Sequence, residues 1–573
     1  MARPASQPHR HMSRRAFLRG ALATGSLGLL AGCAPVEEES SGSAVEAAEA
    51  EEEAEVEPVS LCISSPSCID PYNCADDASL QVVSLLFDSL TSFNYQTGEV
   101  EGLAAESWEV SDDATRFTFH LVGGATFHNG EAVTSAAFKR AWERIVNPGS
   151  TVAELYGESE ISNHLALIQG YEELREGGAG RLAGISCPDD ETLVVTLSTP
   201  YADFPSVVAH PALAPVPELA HNDPEAFYAA PIGNGPFELV EETEWSEGSS
   251  LDLVRFDGYA GEPATIASAH LEVTTDIDAA YRSFESGDLD ITAVPIDELS
   301  QAKKDYGLAG DGCTIGEDER VIIGSEPVTC YLVCNTSLMP LDNLDVRRGL
   351  SLAIDRESIC EDIYRNIRIP ADGIVPPCVA GYREGAWEFS AYDEEQATEC
   401  WERAYPADED GDRDLSLELM YYTDGGHDEL VAAIVDDLAR MGVTIETDPE
   451  DWDTMLERYA SGDFELALAT WTADYPVLDN VLYPLFHSDS IGGNNRSGYS
   501  DDDADAAMTE ARSTVDDEAR IAALQEVDAT VGSAMPVVPL MYHAHVVVGS
   551  ERIEYLYCDP MGCCDLATVQ LEE

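Results

Sequence analysis

LELMYYTDGGHDELVAAIVDDLARMGVTI, residues 417–445, passes from one hydrophobic period to another and back. Residues 417–422 form a short apolar run of strand type. Residues 427–441 carry apolar side chains at helical spacing, and Gly442 stops that helix. Residues 443–445 then resume a strand. Strand, helix and strand in succession make a β-α-β pattern.

The same alternation holds on both sides of this stretch. Residues 78–90, ASLQVVSLLFDSL, have apolar residues at helical spacing and predict a helix. Residues 117–121 alternate and predict a strand. Residues 131–146 predict a helix that stops at Asn147-Pro148-Gly149. Residues 193–197 predict a strand closed by Pro200, and residues 231–236 a rigid Gly/Pro turn. Residues 283–295 read as a helix end, a Gly stop and a buried strand. Residues 331–336 read as a strand end. Asp345 then opens one helix with Val346, Leu350, Ile354, Ile359 and Ile363 roughly on one face. ESWEV (106–110) and GDFELALATW (462–471) extend the mixture. Helices and strands alternate without a short repeat, which predicts an α/β architecture with more than one lobe.

Length and charge bound the function. A chain of 573 residues holds about two to four domains. With 44% hydrophobic residues and 23 Tyr it can fill a large core. Its 30 Lys and Arg against 109 Asp and Glu give a formal charge of −79. That charge repels nucleic acid and anionic lipid headgroups. It suits a solvated acidic surface; a cationic partner is the alternative.

The first 33 residues read as a targeting segment. Ser13-Arg14-Arg15-Ala16-Phe17-Leu18 matches the twin-arginine export signal. An apolar run, too short to span a bilayer, leads to Leu30-Ala31-Gly32-Cys33, which resembles a bacterial lipobox. Cleavage there leaves Cys33 as a lipid-bearing N-terminus that tethers the protein to the membrane outside the cytoplasm. Residues 34–58 hold ten Glu and no Lys or Arg, and read as a disordered acidic linker. Of 14 Cys, setting Cys33 aside leaves an odd number, so at least one stays unpaired in a monomer. Their spacing gives disulfides or buried thiols rather than a zinc site.

Ordered motifs carry a family resemblance. Ile69-Asp70-Pro71 is followed by GLAAESWEVSDDATRFTFHLVGGATFHNGEAVTSAAFKRAWERIVNP (102–148) and PIGNGPFELV (231–240). Then come CNTSLMPLDNLDVRRGLSLAIDRESI (334–359), GIVPP (373–377), DFELALATWTADYPVLDN (463–480) and MPVVPLMYH (535–543). In this order they resemble the peptide- and nickel-type solute-binding proteins of ABC importers, over most of residues 59–545. The resemblance implies a two-lobed, periplasmic-binding-protein-like clamp of type II with an additional accessory domain. Lobe one would take residues 59–98, 196–322 and 541–573, the accessory domain 99–195 and lobe two 323–540. Such a protein performs no chemistry, needs no cofactor and works as a monomer that hands its solute to a permease. No G-x-S-x-G or H-E-x-x-H motif points to an enzyme.

The resemblance also implies a site. Asp474 matches the family aspartate that binds a peptide's α-amino group, with Tyr475 beside it. An amine stripped of water between closing lobes needs a paired carboxylate. The alternative is that Asp474 caps the turn before Pro476. Thr470, Trp471 and Thr472 lie on a strand that can pair main chain to main chain with an extended peptide. Trp471 matches an aromatic of the family pocket; the alternative is a core Trp. Ala75 and Asp77 match the segment that runs along the peptide from the other lobe; the alternative is a surface loop stapled by Cys68 and Cys74. Leu468 stands where a basic residue holds the carboxylate of shorter peptides in the best-known oligopeptide binder. Arg458 and Arg496 are the substitutes nearby in sequence. The histidines form no ligand cluster, so a nickel-type function gains no support. A different solute, such as a sugar, an amine or a metal chelate, is the second reading, and a surface peptide sensor or an extracellular enzyme the third.

Overall fold

Strand Ser416–Tyr422 and strand Thr444–Glu450 pair in parallel, Leu417 opposite Ile445, with helix Asp428–Arg440 between them. The β-α-β unit is therefore as the sequence predicts. Gly442 has φ of +75°, and a Cβ there would meet the Gly411 carbonyl oxygen at 2.2 Å, so only glycine turns this corner without strain. The computed structural model describes residues 57–240 and 243–572. The export signal, Cys33 and nearly all of the acidic linker lie outside the described residues.

This unit belongs to an 11-stranded mixed sheet. Its order runs Thr444–Glu450, Ser416–Tyr422, Leu466–Thr472, Val321–Cys334, Val537–Gly549, Ile291–Ala293, Val59–Ile63, Ser268–Val273, Leu251–Arg255 and Phe237–Leu239. The short strand Ile369–Pro370 hangs on Val537–Gly549. The two long strands, Val321–Cys334 and Val537–Gly549, join the two halves of the sheet. They pair antiparallel, and their register shifts between Ser325 and Thr329 and again at Cys330/Tyr331. Such bulges bend and twist a strand pair. The fold is the expected α/β two-lobed clamp.

Beyond the crossing, alternate residues of one strand feed two cores. Leu466 and Leu468 join a cluster with Leu332, Leu417, Leu350 and Ile434. Ala467 and Ala469 face the opposite side, with Tyr331, Val333, Met420 and Val481. A period of two thus buries both faces under helices, as β-α-β connections require. A separate four-stranded antiparallel sheet, Ala105–Val110, Arg116–Leu121, Thr192–Thr196 and Ile185–Asp189, packs Phe117, Phe119, Leu193 and Val195 inward. Helix Ser135–Val146 adds Phe138 and Trp142 to the same core.

Some boundaries differ from expectation. The helix expected over 78–90 is Asp77–Leu86. The Leu86 carbonyl is taken by the Gly235 N–H at 2.9 Å, and Phe87 is extended. The Pro231–Pro236 turn therefore ends that helix: a Cβ on Gly233 would meet the Leu86 oxygen at 1.7 Å. The helix expected from Glu131 starts at Ser135, because Ala132 is bridged to Thr126. The single helix expected after Asp345 is two, Leu344–Ala353 and Arg356–Asp362. Asp355 caps the second through the Ser358 N–H at 3.1 Å. The Arg356 guanidinium closes the break by donating to the Ser351 and Ile354 carbonyls at 2.9 and 3.1 Å.

Candidate functional site

Strand Leu466–Thr472 reaches the site half-paired. On one side it pairs with Val321–Cys334 along its whole length, Thr472 opposite Val328 and Thr470 opposite Cys330. On the other, Ser416–Tyr422 pairs only at Leu466 and Ala467. Among the described residues that second edge is free of strand partners from Leu468 onward. The Ala473 N–H donates to the Pro327 carbonyl at 2.8 Å. Antiparallel ladders alternate, so residues 469 and 471 face Val321–Cys334 while 470 and 472 turn their N–H and C=O to the free edge.

The strand then runs out into the carboxylate. Asp474 is exposed, and among the described residues it accepts no hydrogen bond and meets no cation. The Val477 N–H, which a capping Asp474 would take, goes to the Tyr475 carbonyl at 2.9 Å. The turn-cap alternative is not what the geometry holds. Tyr475 anchors the turn instead: the Tyr201 hydroxyl donates to its hydroxyl at 3.2 Å.

Opposite lies the start of helix Asp77–Leu86, capped by Asp76. Cys74, Ala75, Asp77, Thr472, Asp474 and Tyr475 line one cavity of about 400 Å³. Five of the seven expected residues thus meet around one space. A second cavity of about 200 Å³ shares Asp474 and Tyr475 and continues to Asp88, Tyr95 and Asp559. Among the described residues neither lining includes a Lys or Arg. Burial pushes the Asp559 carboxyl up to about 7, against two backbone N–H donors, Met561 and Cys563, at 2.9 Å. Burial does the same to Asp88, although the Tyr259 hydroxyl donates to it at 2.8 Å. Both carboxyls therefore hold their protons to higher pH than a solvated Asp does.

The other two expected residues sit elsewhere. Thr470 is exposed further down the free edge. Trp471 points to the opposite face, where its indole N–H donates to the Asn480 carbonyl at 3.0 Å and its ring packs on a core cluster. Strand alternation between Thr470 and Thr472 already implies this. Cys68 and Cys74 are both free thiols: the Cys68 thiol donates to the Asp70 carbonyl at 3.2 Å.

The substitutes for a basic residue at Leu468 are committed. Leu468 itself is core. Arg458 is held by Glu418 at 2.5 Å, Glu450 at 3.3 Å and Asp448. Arg496 stacks 4.0 Å over the Tyr459 ring. The cation the sequence reading missed is Arg368, half-buried and 6.0 Å over the Tyr364 ring. Among the described residues it makes no hydrogen bond and no ion pair. It immediately precedes Ile369–Pro370, which pairs with Tyr542 and Met541. Its charge bears on Cys330, the strand partner of Thr470. Burial drives the His543 imidazole down to about 3, and the Arg368 charge adds to the drop. Only the scarcity of cations in this chain could have drawn attention to it.

A cavity beside a free strand edge, with an unpaired carboxylate in its lining, is built to hold a solute. The family model described as bacterial extracellular solute-binding proteins, family 5 middle, matches residues 99–493, more than half of the chain. The chain belongs to this family of ABC-importer solute-binding proteins. It is 25% identical over 514 residues to the dipeptide-binding protein DppE of Bacillus subtilis, covering 88% of this chain and 90% of that one. It is 25% identical over 503 residues to the oligopeptide-binding protein OppA of the same organism, covering 86% and 88%. Among solved structures, the unliganded open form of the periplasmic murein tripeptide binding protein MppA superposes with a TM-score of 0.77 at 23% identity, covering 90% of this chain and 98% of that one. The members of this family are solute-binding proteins that act outside the cytoplasm. Among the described residues no helix is long and apolar enough to cross a membrane.

Proposed function

We propose that this protein captures peptides outside the cytoplasm and delivers them to the permease of an ABC importer. The observation that carries the reading is Asp474, exposed and unpaired at the end of a strand whose free edge offers the Thr470 and Thr472 backbone groups. A peptide laid antiparallel to that edge gains main-chain hydrogen bonds whatever its side chains. Its α-amino group meets Asp474, while Ala75 and Asp77 bound it from the other wall. Its carboxylate runs toward Arg368. Asp474 and Thr470 are four residues apart, roughly 13 Å at about 3.3 Å per residue. That span suits peptides of a few residues. The names of the relatives, dipeptide- and oligopeptide-binding proteins, support the same class.

In this reading residues 59–98, 196–322 and 541–573 form lobe one, 99–195 the accessory domain and 323–540 lobe two. Closure bends the strand pair Val321–Cys334 and Val537–Gly549 at its register shifts, in the manner of a hinge. The protein works as a monomer without a cofactor, tethered by lipid at Cys33 after twin-arginine export. Mass spectrometry of small molecules released from the purified protein tests the class. Short peptides are expected; recovery of a sugar or a metal complex instead would overturn it.

A further inference from the structure

Near the C-terminus the sequence reads Tyr557-Cys558-Asp559-Pro560-Met561-Gly562-Cys563-Cys564-Asp565. The chain folds back on itself here. Cys558 and Cys564 face each other across an antiparallel bridge. The Asp559 N–H donates to the Cys563 carbonyl and the Asp565 N–H to the Tyr557 carbonyl, both at 2.9 Å. Those two bonds flank the cysteines, so Cys558 and Cys564 are a non-hydrogen-bonded pair, the kind in which opposed Cα atoms approach to about 4.5 Å. Disulfides need Cα separations of about 4.4–6.8 Å. Both side chains are buried, and the two Sγ atoms lie 2.8 Å apart.

No other use for the pair is visible. Among the described residues no group of His, Cys, Asp and Glu is arranged to hold a metal ion. The loop is also fixed from outside: the Gln81 side chain accepts from the Cys564 N–H at 2.6 Å and donates to its carbonyl at 3.0 Å. Gln81 belongs to helix Asp77–Leu86, whose first residue lines the larger cavity. The residues between the cysteines matter to the site. Asp559, Met561 and Cys563 line the smaller cavity beside Asp474, and Met561 also lines the larger one.

We infer that Cys558 and Cys564 form a disulfide that closes this loop into the wall of the cleft. The two thiols lose two protons and two electrons to a disulfide oxidant of the compartment outside the cytoplasm, which is itself reduced to two thiols. Cys563, next in sequence to Cys564 but lining the smaller cavity, stays a thiol. The loop then holds Asp559 and Met561 at the cavity through a covalent bond as well as through Gln81. This assignment does not depend on the solute being a peptide.

The test is thiol mapping on the full chain equilibrated with a mixture of oxidised and reduced glutathione. The last tryptic cleavage follows Arg552, so one peptide, residues 553–573, holds Cys558, Cys563 and Cys564 together. Alkylation without prior reduction is expected to label that peptide once, at Cys563, and to leave it two hydrogens lighter than its fully reduced form. Cys563→Ser should abolish the label while keeping the mass loss. Three labels on the wild-type peptide would overturn the assignment. So would a mass loss that persists in Cys564→Ser, since it would place the bond at Cys563.

Discussion

Tyr201 and Tyr475 meet hydroxyl to hydroxyl at 3.2 Å, although 274 residues separate them in sequence. Tyr201 belongs to the large core cluster that also holds Phe204 and Val207. Tyr475 follows Asp474 directly. Arg512 lies 5.3 Å over the Tyr201 ring and is itself held by Asp479 at 2.9 Å. The turn that carries Asp474 is therefore tied to this core cluster.

Tyr201→Phe tests that coupling. It removes one hydroxyl and leaves the Tyr475 oxygen without its donor, which costs about 1–3 kcal/mol where the group is buried. The expected result is a lower urea midpoint at unchanged slope. Ligand affinity should fall less than in variants of Asp474 itself.

Arg368→Ala tests the proposed partner of the peptide's carboxylate. A charge-assisted hydrogen bond contributes about 1.5–3 kcal/mol. Affinity for a short peptide with a free carboxylate should drop by a corresponding 10- to 100-fold, roughly. The same peptide with an amidated C-terminus should bind both proteins alike in titration calorimetry.

Trp471→Phe separates the core reading from the pocket reading. Its indole N–H serves the Asn480 carbonyl and its ring packs away from the cavity. The substitution should destabilise the fold by about 1–2 kcal/mol, through a lost hydrogen bond and lost packing. Peptide affinity should change less than twofold, roughly, well below the factor of ten that 1.4 kcal/mol represents.

The pH dependence follows from Asp559. Burial raises its carboxyl to about 7 in the folded state, from an ordinary value near 3.8. Between those values the folded chain holds a proton that the unfolded chain releases. The contribution is complete below the unfolded value and is lost as pH rises through about 7. Asp559→Asn should therefore flatten the fall in thermal stability between about pH 4 and pH 7. Differential scanning calorimetry at both ends of that window reads the difference between the two proteins.

What the sequence made legible follows from the range of each interaction. The β-α-β unit at 417–445 is local: its periods and Gly442 are set by near neighbours, and it folds as read. The helix end at Leu86 is not local, because Gly235 supplies the N–H that stops it. The break after Ala353 was readable in principle, since Asp355 is a good N-cap, but the apolar stripe through Ile354 and Ile359 masked it. At the site, Asp474, Thr472, Ala75 and Asp77 came from motif resemblance and do converge on one cavity. Arg368, Asp88 and Asp559 could not be found this way. Asp88 and Asp559 reach the smaller cavity from a helix end and the C-terminal tail, and Arg368 stands before the short strand Ile369–Pro370, placements that only the folded topology sets. Trp471 shows the converse: the motif named the residue, while the strand's period of two sends its ring to the other face.

Asp474 is proposed to hold a peptide's amino group. Titration calorimetry of wild type and Asp474→Ala, each with a short peptide and its N-acetylated form, tests it most directly. Leaving a buried charge unpaired costs about 3–5 kcal/mol. The free-amine peptide should therefore lose at least about 100-fold in affinity on substitution, while the acetylated peptide binds both proteins weakly and equally. Undiminished binding of the free-amine peptide to Asp474→Ala would contradict the account.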